Sequence, residues 1–382
     1  MRRGMRGFGI VLAALVLAAC AAGGGGTARP ASGPAGAAAP TAGSGASTAP
    51  GGAAPGTTDA GAAPSGGSAA APTAPPAPVA LRLGLNTTNA AIAPVWVAQE
   101  QGFFTKYGIE AEPILVTGGA ARVVSAVLAG ETPLTIISST AVLSAGLNGA
   151  DLTFYGSYSN TLRFWLYARP EIASVQDLRG KQVAISGRGG SNQRAAELVL
   201  TRHGLEPDRD VTFISAGTMT DILTALLNGA VAGGMLSPPG TFVADDEGMR
   251  LLFDSTEYRE PTIMQGIAGS RAWVAQHEDV VRRVLQALGE GVALLHKDKE
   301  RSKAIIGKHS QTDDALLIER TYNAQLPGWE RGLYAPPEAL RAELEALAAE
   351  QPAARTARPE QFVDNRLVEE LDRAGFFQQL FQ

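Results

Sequence analysis

A glycine-rich turn at residues 187–192 combines bare backbone with short polar side chains just before a predicted helix. Glycines let the backbone approach a ligand closely, and the free N–H groups of a helix start attract anions. We expect Ser191 or Asn192 to cap this helix. The turn is not a dinucleotide fingerprint or a P-loop, because Asn192 replaces the third glycine and no Lys-Ser/Thr pair follows. It predicts a cradle for a small anionic or polar ligand, although such a turn alone is often only a connection between strand and helix.

Other turns that follow predicted strands carry hydroxyls, amides or bare backbone. In open α/β sheets ligands bind beyond the carboxyl ends of the strands, so these turns are the candidate ligand contacts. Serine and threonine at such positions are also frequent helix caps. The nominated residues are Thr87, Thr88, Asn89, Gly118, Gly119, Ser138, Ser139, Thr140, Gly190, Ser191, Asn192, Gly217, Ser237 and Pro238.

Two arginines and two aromatic residues lie beside these turns. Arg163 and Trp165 share one face of a predicted strand, and an arginine there can bind a sulfonate, carboxylate or phosphate through two hydrogen bonds. The alternative is a surface arginine at a hinge. Arg188, inside the glycine-rich turn, has the same two interpretations. Trp165 and Tyr167 could flank an aromatic ligand, or they could simply pack at the hinge.

The sequence contains no pattern typical of a catalytic or metal-binding site. The four histidines are scattered without metal-ligand spacing, and no Gly-x-Ser-x-Gly elbow is present. The glutamates of residues 338–350 are interpreted as a solvated helix face. We therefore predict no catalytic residue, no metal site and no cofactor.

The elements that must position these turns repeat as strand, turn and helix. The pattern begins at Val79, restarts after a break near residue 152, and becomes almost wholly helical after Arg271. This order is typical of parallel sheets covered by helices. The sequence predicts an α/β fold with two doubly wound lobes joined by two crossing strands, a ligand cleft between the lobes and a helical C-terminal part.

The N-terminal region is predicted to be a lipoprotein leader followed by a tether. Three arginines precede a short apolar core, and the segment LAAC ends at Cys20, the single cysteine of the 382 residues. Residues 21–78 are rich in Ala, Gly, Pro, Ser and Thr, which favours disorder. The net charge of −5 and the lack of a basic cluster in the globular part argue against a nucleic-acid partner.

Four segments together carry a family resemblance, which covers roughly residues 80–375. They read FFTKYGIEAEP, LAGE, DLRGKQVAI and EQFVDNRLVEELDRAGF. They follow, in that order, the segment LAAC, which resembles a bacterial lipobox, the lipidation motif of lipoproteins. The chain resembles the substrate-binding lipoproteins of ABC importers, in the branch that handles nitrate, taurine, aliphatic sulfonates and thiamine precursors. The resemblance implies a type II periplasmic-binding-protein fold, with crossings near residues 160–167 and 263–266.

The resulting expectations concern organisation and function. We expect a leader at 1–20, a tether at 21–78, lobe 1 at 79–160 plus 265–382, and lobe 2 at 161–264. The expected function is capture of a small polar or anionic organic ligand and its delivery to a membrane permease with an ATPase. The expected form is a monomer, lipid-anchored on the extracytoplasmic face. The alternatives are a ligand sensor for a signalling receptor and an enzyme on the same scaffold.

Overall fold

The computed structural model describes residues 78–258, 260–349 and 351–382. The predicted leader, Cys20 and nearly all of the predicted tether lie outside these ranges. The described strands, in chain order, are β1 (Val79–Leu85), β2 (Ile109–Leu115), β3 (Leu134–Ile137), β4 (Thr153–Thr161), β5 (Trp165–Ala168), β6 (Gln182–Ile185), β7 (Thr212–Ser215), β8 (Gly233–Leu236), β9 (Arg250–Asp254) and β10 (Pro261–Gly269).

The described helices begin after β1 and dominate the C-terminal third. They are α1 (Ala93–Glu100), α2 (Phe103–Lys106), α3 (Ala120–Leu128), α4 (Ser139–Leu147), α5 (Ser191–Arg202), α6 (Met219–Leu227), α7 (Gly240–Asp246), α8 (Arg271–Val274), α9 (Glu278–Lys297), α10 (Lys299–His309), α11 (Ala315–Gln325), α12 (Arg341–Leu347), α13 (Arg366–Arg373) and α14 (Phe376–Phe381). In the described ranges, no helix is both long and apolar enough to cross a membrane.

Two five-stranded sheets form the two lobes. The sheet of lobe 1 has the order β2-β1-β3-β10-β4, and that of lobe 2 has the order β7-β6-β8-β5-β9. β1 runs parallel to β2 and β3, whereas β10 is antiparallel to β3 and β4. In lobe 2, β6 runs parallel to β7 and β8, and β5 is antiparallel to β8 and β9. The predicted α/β class and two-lobe architecture are confirmed.

The chain passes between the sheets twice. The first connection lies between Thr161 of β4 and Trp165 of β5, inside the predicted region. The second lies between Asp254 of β9 and Pro261 of β10. The predicted second crossing at residues 263–266 stays a prediction, because Gln265 and Gly266 pair within the sheet of lobe 1 whereas Met264 packs in a core cluster of lobe 2. The lobe boundaries expected from the sequence stay a proposal.

The core of lobe 1 is built around α9. Its buried apolar positions, such as Val281, Val284, Leu285 and Leu288, recur at helical spacing and pack among the side chains of β1, α1 and α13. A separate cluster beneath α4 includes residues of α12 and the turn before it. Lobe 2 has its own two clusters, on opposite faces of its sheet. Each sheet is thus held by its own core, and the turns at the strand ends remain available to form a site.

Candidate functional site

The nominated turns lie at the carboxyl ends of β1, β2, β3, β6, β7 and β8, as expected from the sheet order. Asn89 of lobe 1 and Ser237 of lobe 2 meet directly, because the Asn89 Nδ2 atom donates to Ser237 Oγ at 3.1 Å. Asn89 Oδ1 also accepts from the Ala91 N–H at 3.0 Å and so fixes the following turn. Two residues nominated independently, 148 positions apart, therefore bridge the lobes.

The remaining loops of the set differ in exposure. Thr87 is half-buried and Thr88 is exposed, whereas Pro238, next to Ser237, is buried. The glycines nominated after β2 and β7 are exposed and adopt positive φ, which residues with side chains adopt at a cost. These glycines are Gly118, Gly119 and Gly217. The structure does not test any of these residues as a ligand contact, so the nominations stay predictions.

The glycine-rich turn before α5 is held by an amide inside lobe 2. Gly190 occupies the N-cap position, so the predicted cap at Ser191 or Asn192 is wrong, since both residues are already helical. Asn192 Oδ1 accepts from the Ser186 N–H at 2.9 Å, and its Nδ2 donates to the Met235 carbonyl at 3.1 Å. Because the buried Asn192 side chain is used in this way, a ligand would meet the backbone of the turn and the half-buried Ser191.

Arg188 points to a partner in its own lobe. Its guanidinium donates two hydrogen bonds to the Asp208 carboxylate, at 2.5 and 2.7 Å, and lies 5.7 Å from the centre of the Phe213 ring. Arg188 keeps the pKa of Asp208 below its usual value, chiefly through these hydrogen bonds. A ligand would have to compete with Asp208 for this guanidinium.

Arg163 lies in the first crossing connection and joins it to the helical C-terminal part. Its guanidinium donates to the Ala324 carbonyl at the end of α11, and its centre lies 5.9 Å from the centre of the Trp165 ring. Burial lowers the pKa of Arg163, and the charge of Asp254 partly opposes that effect. The Nε atom has no hydrogen-bonding partner among the described residues. The hinge interpretation of Arg163 therefore has a defined contact, whereas a ligand contact stays a prediction.

The two aromatic residues of β5, Trp165 and Tyr167, have different environments. Trp165 is partly exposed beside Arg163, and Tyr167 is buried. The Tyr167 hydroxyl donates to Asp245 Oδ1 of α7 at 2.7 Å, within lobe 2. Burial and this carboxylate raise the pKa of Tyr167 well above its usual value. Tyr167 therefore serves the interior of lobe 2, and of the two side chains Trp165 is the one left at the hinge surface.

The hydroxyls at the start of α4 are occupied by a carboxylate that sequence reasoning missed. Ser139 Oγ donates to Glu343 Oε1 at 2.6 Å, and Thr140 Oγ1 donates to Oε2 at 3.2 Å. Thr262 of β10 donates to Oε1 as well. Glu343 is only 4% exposed, so the interpretation of residues 338–350 as a solvated face is wrong at this position. Ser138, which precedes α4, is also buried.

A pattern in the sequence does indicate the burial of Glu343. Ala339 and Leu347 lie four residues to either side, and Leu340 and Leu344 lie next to this row. All four pack against the apolar cluster beneath α4. Residues spaced by three and four share one helical face, so Glu343 is placed on the apolar face of α12. Burial raises the pKa of Glu343, and the hydroxyl hydrogen bonds and the charge of Arg194 act in the opposite direction.

A second contact between the lobes is formed by Arg320 of α11. Its guanidinium donates to Asp245 at 3.2 Å and to Asp246 at 3.4 Å, both in α7 of lobe 2. It also lies 4.3 Å from the centre of the Phe242 ring. With Asn89 and Ser237, this contact holds the two lobes against each other in the described conformation.

Several buried polar atoms on the hinge strands and the facing helices have no partner among the described residues. Native proteins satisfy almost all such atoms, with protein, water or ligand. The atoms in question are Tyr158 Oη, Asn160 Oδ1, Gln265 Oε1, Thr241 Oγ1 and Thr321 Oγ1. They are further candidates for ligand or water contacts, and sequence patterns did not single them out.

A surface hollow of about 570 Å³ lies elsewhere, on the outer side of α12. It is lined by the arginines Arg341, Arg355 and Arg358, and by none of the nominated residues. The candidate site is therefore placed at the loops that meet between the lobes, after β1 and β8, and not at this hollow.

Comparisons with known proteins identify a matching family and similar binding proteins. A family described as NMT1/THI5 like matches residues 89–302. The riboflavin-binding protein RibY of Chloroflexus aurantiacus is similar, with 27% identity over 288 residues that cover 70% of this chain and 79% of RibY.

Two solved structures show the same fold. The alkanesulfonate-binding protein SsuA of Xanthomonas axonopodis pv. citri, bound to MOPS, has a TM-score of 0.62 at 19% identity and covers 77% of this chain and 98% of its own. The periplasmic nitrate-binding protein NrtA of Synechocystis PCC 6803 has a TM-score of 0.64 at 14% identity and covers 78% and 89%. The resemblance inferred from the sequence is confirmed.

Proposed function

Because the chain belongs to the NMT1/THI5 like family, we propose that it is the solute-binding component of an ABC importer. It captures a small polar or anionic organic ligand of the sulfonate, nitrate-like or thiamine-precursor class between its lobes. It then delivers this ligand to a membrane permease that works with an ATPase. RibY, SsuA and NrtA are named as binding proteins, which favours a role without chemical turnover.

The observation that carries this proposal is the hydrogen bond between Asn89 and Ser237. It joins the loop after β1 of lobe 1 to the loop after β8 of lobe 2. Both loops lie at strand carboxyl ends, where ligands of open α/β sheets bind. A closed conformation that brings the two loops together also brings together the groups that would surround a ligand. The lobes move relative to each other through the two crossing connections, as in hinge closure.

A ligand screen on the full chain tests the proposal. Riboflavin, MOPS, taurine and nitrate are added one by one, and the unfolding midpoint and the heat of binding are measured. We expect at least one compound to raise the midpoint in proportion to its concentration, since binding to the folded state stabilises it. If no member of this panel or of a wider set of small polar metabolites binds, the proposed function is wrong.

Ser237→Ala then locates the site. The substitution removes the acceptor of the interlobe hydrogen bond but leaves the Asn89 cap intact, and we expect a loss of about 1 kcal/mol in affinity, or several-fold in Kd. The control is Ser125→Ala, at an exposed position of α3. Equal affinities of both variants would place the ligand away from this contact.

Attachment to the membrane is part of the proposal. The lipobox cysteine Cys20 would carry the lipid on the extracytoplasmic face of the cell envelope. Replacing Cys20 with Ser is expected to release the protein from the membrane fraction. Retention of the variant at the wild-type level would exclude a lipid anchor at this residue.

A further inference from the structure

The hollow on the outer side of α12 is open to solvent and has charged side chains around an apolar floor. Its volume of about 570 Å³ lies in the range of small-ligand sites in proteins. The floor is formed by α12 and by the segment between α12 and α13, through Leu344, Ala348, Ala354 and Ala357. Because none of the residues nominated for the interlobe site lines it, the hollow is a separate feature of lobe 1.

Three exposed arginines line this hollow from two parts of the chain. Arg341 begins α12, whereas Arg355 and Arg358 lie between α12 and α13. Within the described ranges, none of the three has an ion pair. Other arginines of the C-terminal part are paired, as shown by Arg282, which lies 2.6 Å from the Glu370 carboxylate. Three guanidinium groups around one hollow therefore keep their donors for a bound group.

Two exposed carboxylates, those of Glu345 and Glu360, line the same hollow. They also form no ion pair in the part of the chain that the structure describes. With three cations against two anions, the lining has a net positive charge. A polyanion or an anionic bilayer would bring further negative charge against these glutamates. The lining therefore favours a compact anion that can contact the arginines alone.

The chemistry of the arginines and of the floor defines the ligand. A guanidinium group presents a planar fork of donors that matches phosphate and carboxylate oxygens through two hydrogen bonds. The apolar floor gains from contact with an apolar body, which removes both surfaces from water. The hollow thus suits a molecule that has an anionic head and an apolar body.

We propose that this hollow is a second binding site, for a soluble organic anion with one phosphate or carboxylate head group on a small apolar body. The arginines bind the head group, and Leu344 and the three alanines contact the body. The site goes beyond the proposed function, because its ligand is bound outside the space between the lobes.

The test titrates phenyl phosphate and inorganic phosphate into the full chain by calorimetry, at matched ionic strength against chloride. We expect phenyl phosphate to bind several-fold more tightly than inorganic phosphate, since its ring covers the apolar floor. The double variant Arg355→Gln/Arg358→Gln should bind phenyl phosphate at least about tenfold more weakly. Its unfolding midpoint without ligand shows that it is folded, because both substitutions are at exposed positions.

Three further variants separate this site from general charge effects and from the interlobe site. Glu345→Gln removes a negative charge from the hollow and should tighten the binding of phenyl phosphate. Arg250→Gln is the matched control, because Arg250 is an exposed arginine of β9 without an ion pair in the described ranges. Arg250→Gln and the interlobe variant Ser237→Ala should bind phenyl phosphate like the wild type.

Three results would overturn the inference. The first is a wild-type protein that binds phenyl phosphate at millimolar concentration no more tightly than inorganic phosphate, or not at all. The second is a folded double variant with the affinity of the wild type, which would place the anion elsewhere. The third is found with phosphatidylglycerol vesicles and the full chain carrying Cys20→Ser. If the chain sediments with these vesicles and loses this property in the double variant, the arginines bind a membrane surface instead.

Discussion

Glu343 places a carboxyl group in the interior, where burial makes its ionised form less favourable than in water. Burial raises the pKa of this carboxyl above its usual 4.5, although three hydroxyls and Arg194 favour the ionised form. A group with a raised pKa in the folded state contributes stability below its unfolded pKa, and that contribution is lost as the pH rises through the folded pKa. The three hydroxyls are therefore not sufficient to replace the water that ionised Glu343 loses on folding.

We therefore predict that the difference in unfolding free energy between the wild type and Glu343→Gln depends on pH. The wild type should lose stability relative to the variant as the pH rises from about 4.5. Denaturant unfolding at a series of pH values measures this difference, with Glu345→Gln as the surface reference. A wild type that gains stability relative to Glu343→Gln on raising the pH would contradict the assignment.

At the residue scale, the sequence predicts where the turns at the strand ends lie better than it predicts the hydrogen bonds that these turns form. The turns that contain Asn89, Ser139 and Ser237 follow from strand periodicity and sheet topology, which are local patterns. Their partners are residues far away in the chain, such as Glu343 at 204 positions from Ser139. No spacing rule connects such residues, and only the packing of α12 against α4 brings them together.

Among the elements, α9 shows how small residues allow close packing. A Cβ atom on Gly291 would lie 2.5 Å from the Pro94 carbonyl oxygen of α1, which is backbone and cannot move aside alone. A Cβ atom on Gly289 would meet ring atoms of Phe376 and Phe377 at 3.1 and 3.3 Å. These rings can shift by small rotations, so the two glycines are under different constraints.

We predict that Gly291→Ala destabilises the protein and that Gly289→Ala is tolerated better. Both substitutions gain about 1 kcal/mol of helix propensity, but overpacking at Gly291 costs roughly 1–3 kcal/mol. The unfolding free energies of the two variants, compared with the wild type, measure the difference. If Gly291→Ala is as stable as Gly289→Ala or more so, the close contact of α1 and α9 is not a constraint.

Element prediction succeeds where periodicity is long and fails at short segments. The helical part predicted after Arg271 contains the long helix Glu278–Lys297, in which apolar positions recur over five turns. Two short helices, Phe103–Lys106 and Phe376–Phe381, were not predicted. Each begins after a glycine with positive φ and has only one or two turns, so its apolar residues show no period. Such helices depend on packing against α9.

For the whole molecule, Arg320 forms a contact between the lobes that would favour the closed form. Its guanidinium pairs with the exposed carboxylates of Asp245 and Asp246, and it lies over the ring of Phe242. An exposed ion pair contributes roughly 0.2–1 kcal/mol, and a cation–π contact adds about 0.5–1 kcal/mol. Because α11 and α7 belong to different lobes, this energy is present only when the lobes are together.

We predict that Arg320→Ala shifts the lobes toward an open form, by roughly fivefold in the ratio of closed to open molecules. Spin or fluorescent labels at Ser125 and Thr201, exposed in lobe 1 and lobe 2, would report the distance distribution after Cys20→Ser removes the single native cysteine. Arg341→Ala, an exposed arginine beside the outer hollow, is the control. An unchanged distribution in Arg320→Ala would show that other contacts set the closed form.

The position of β10 between β3 and β4 has a consequence for the order of folding. During synthesis, β3 and β4 are complete about a hundred residues before the strand that joins them, because all of lobe 2 is made in between. Closing such a long loop costs entropy, so the strand order alone makes the sheet of lobe 1 slow to assemble. Until then, β3, with four buried residues, presents an unpaired strand edge on which aggregation can start. The sheet of lobe 2 needs no strand made after Asp254, and its folding before β10 would bring Pro261 to the gap and start the last strand.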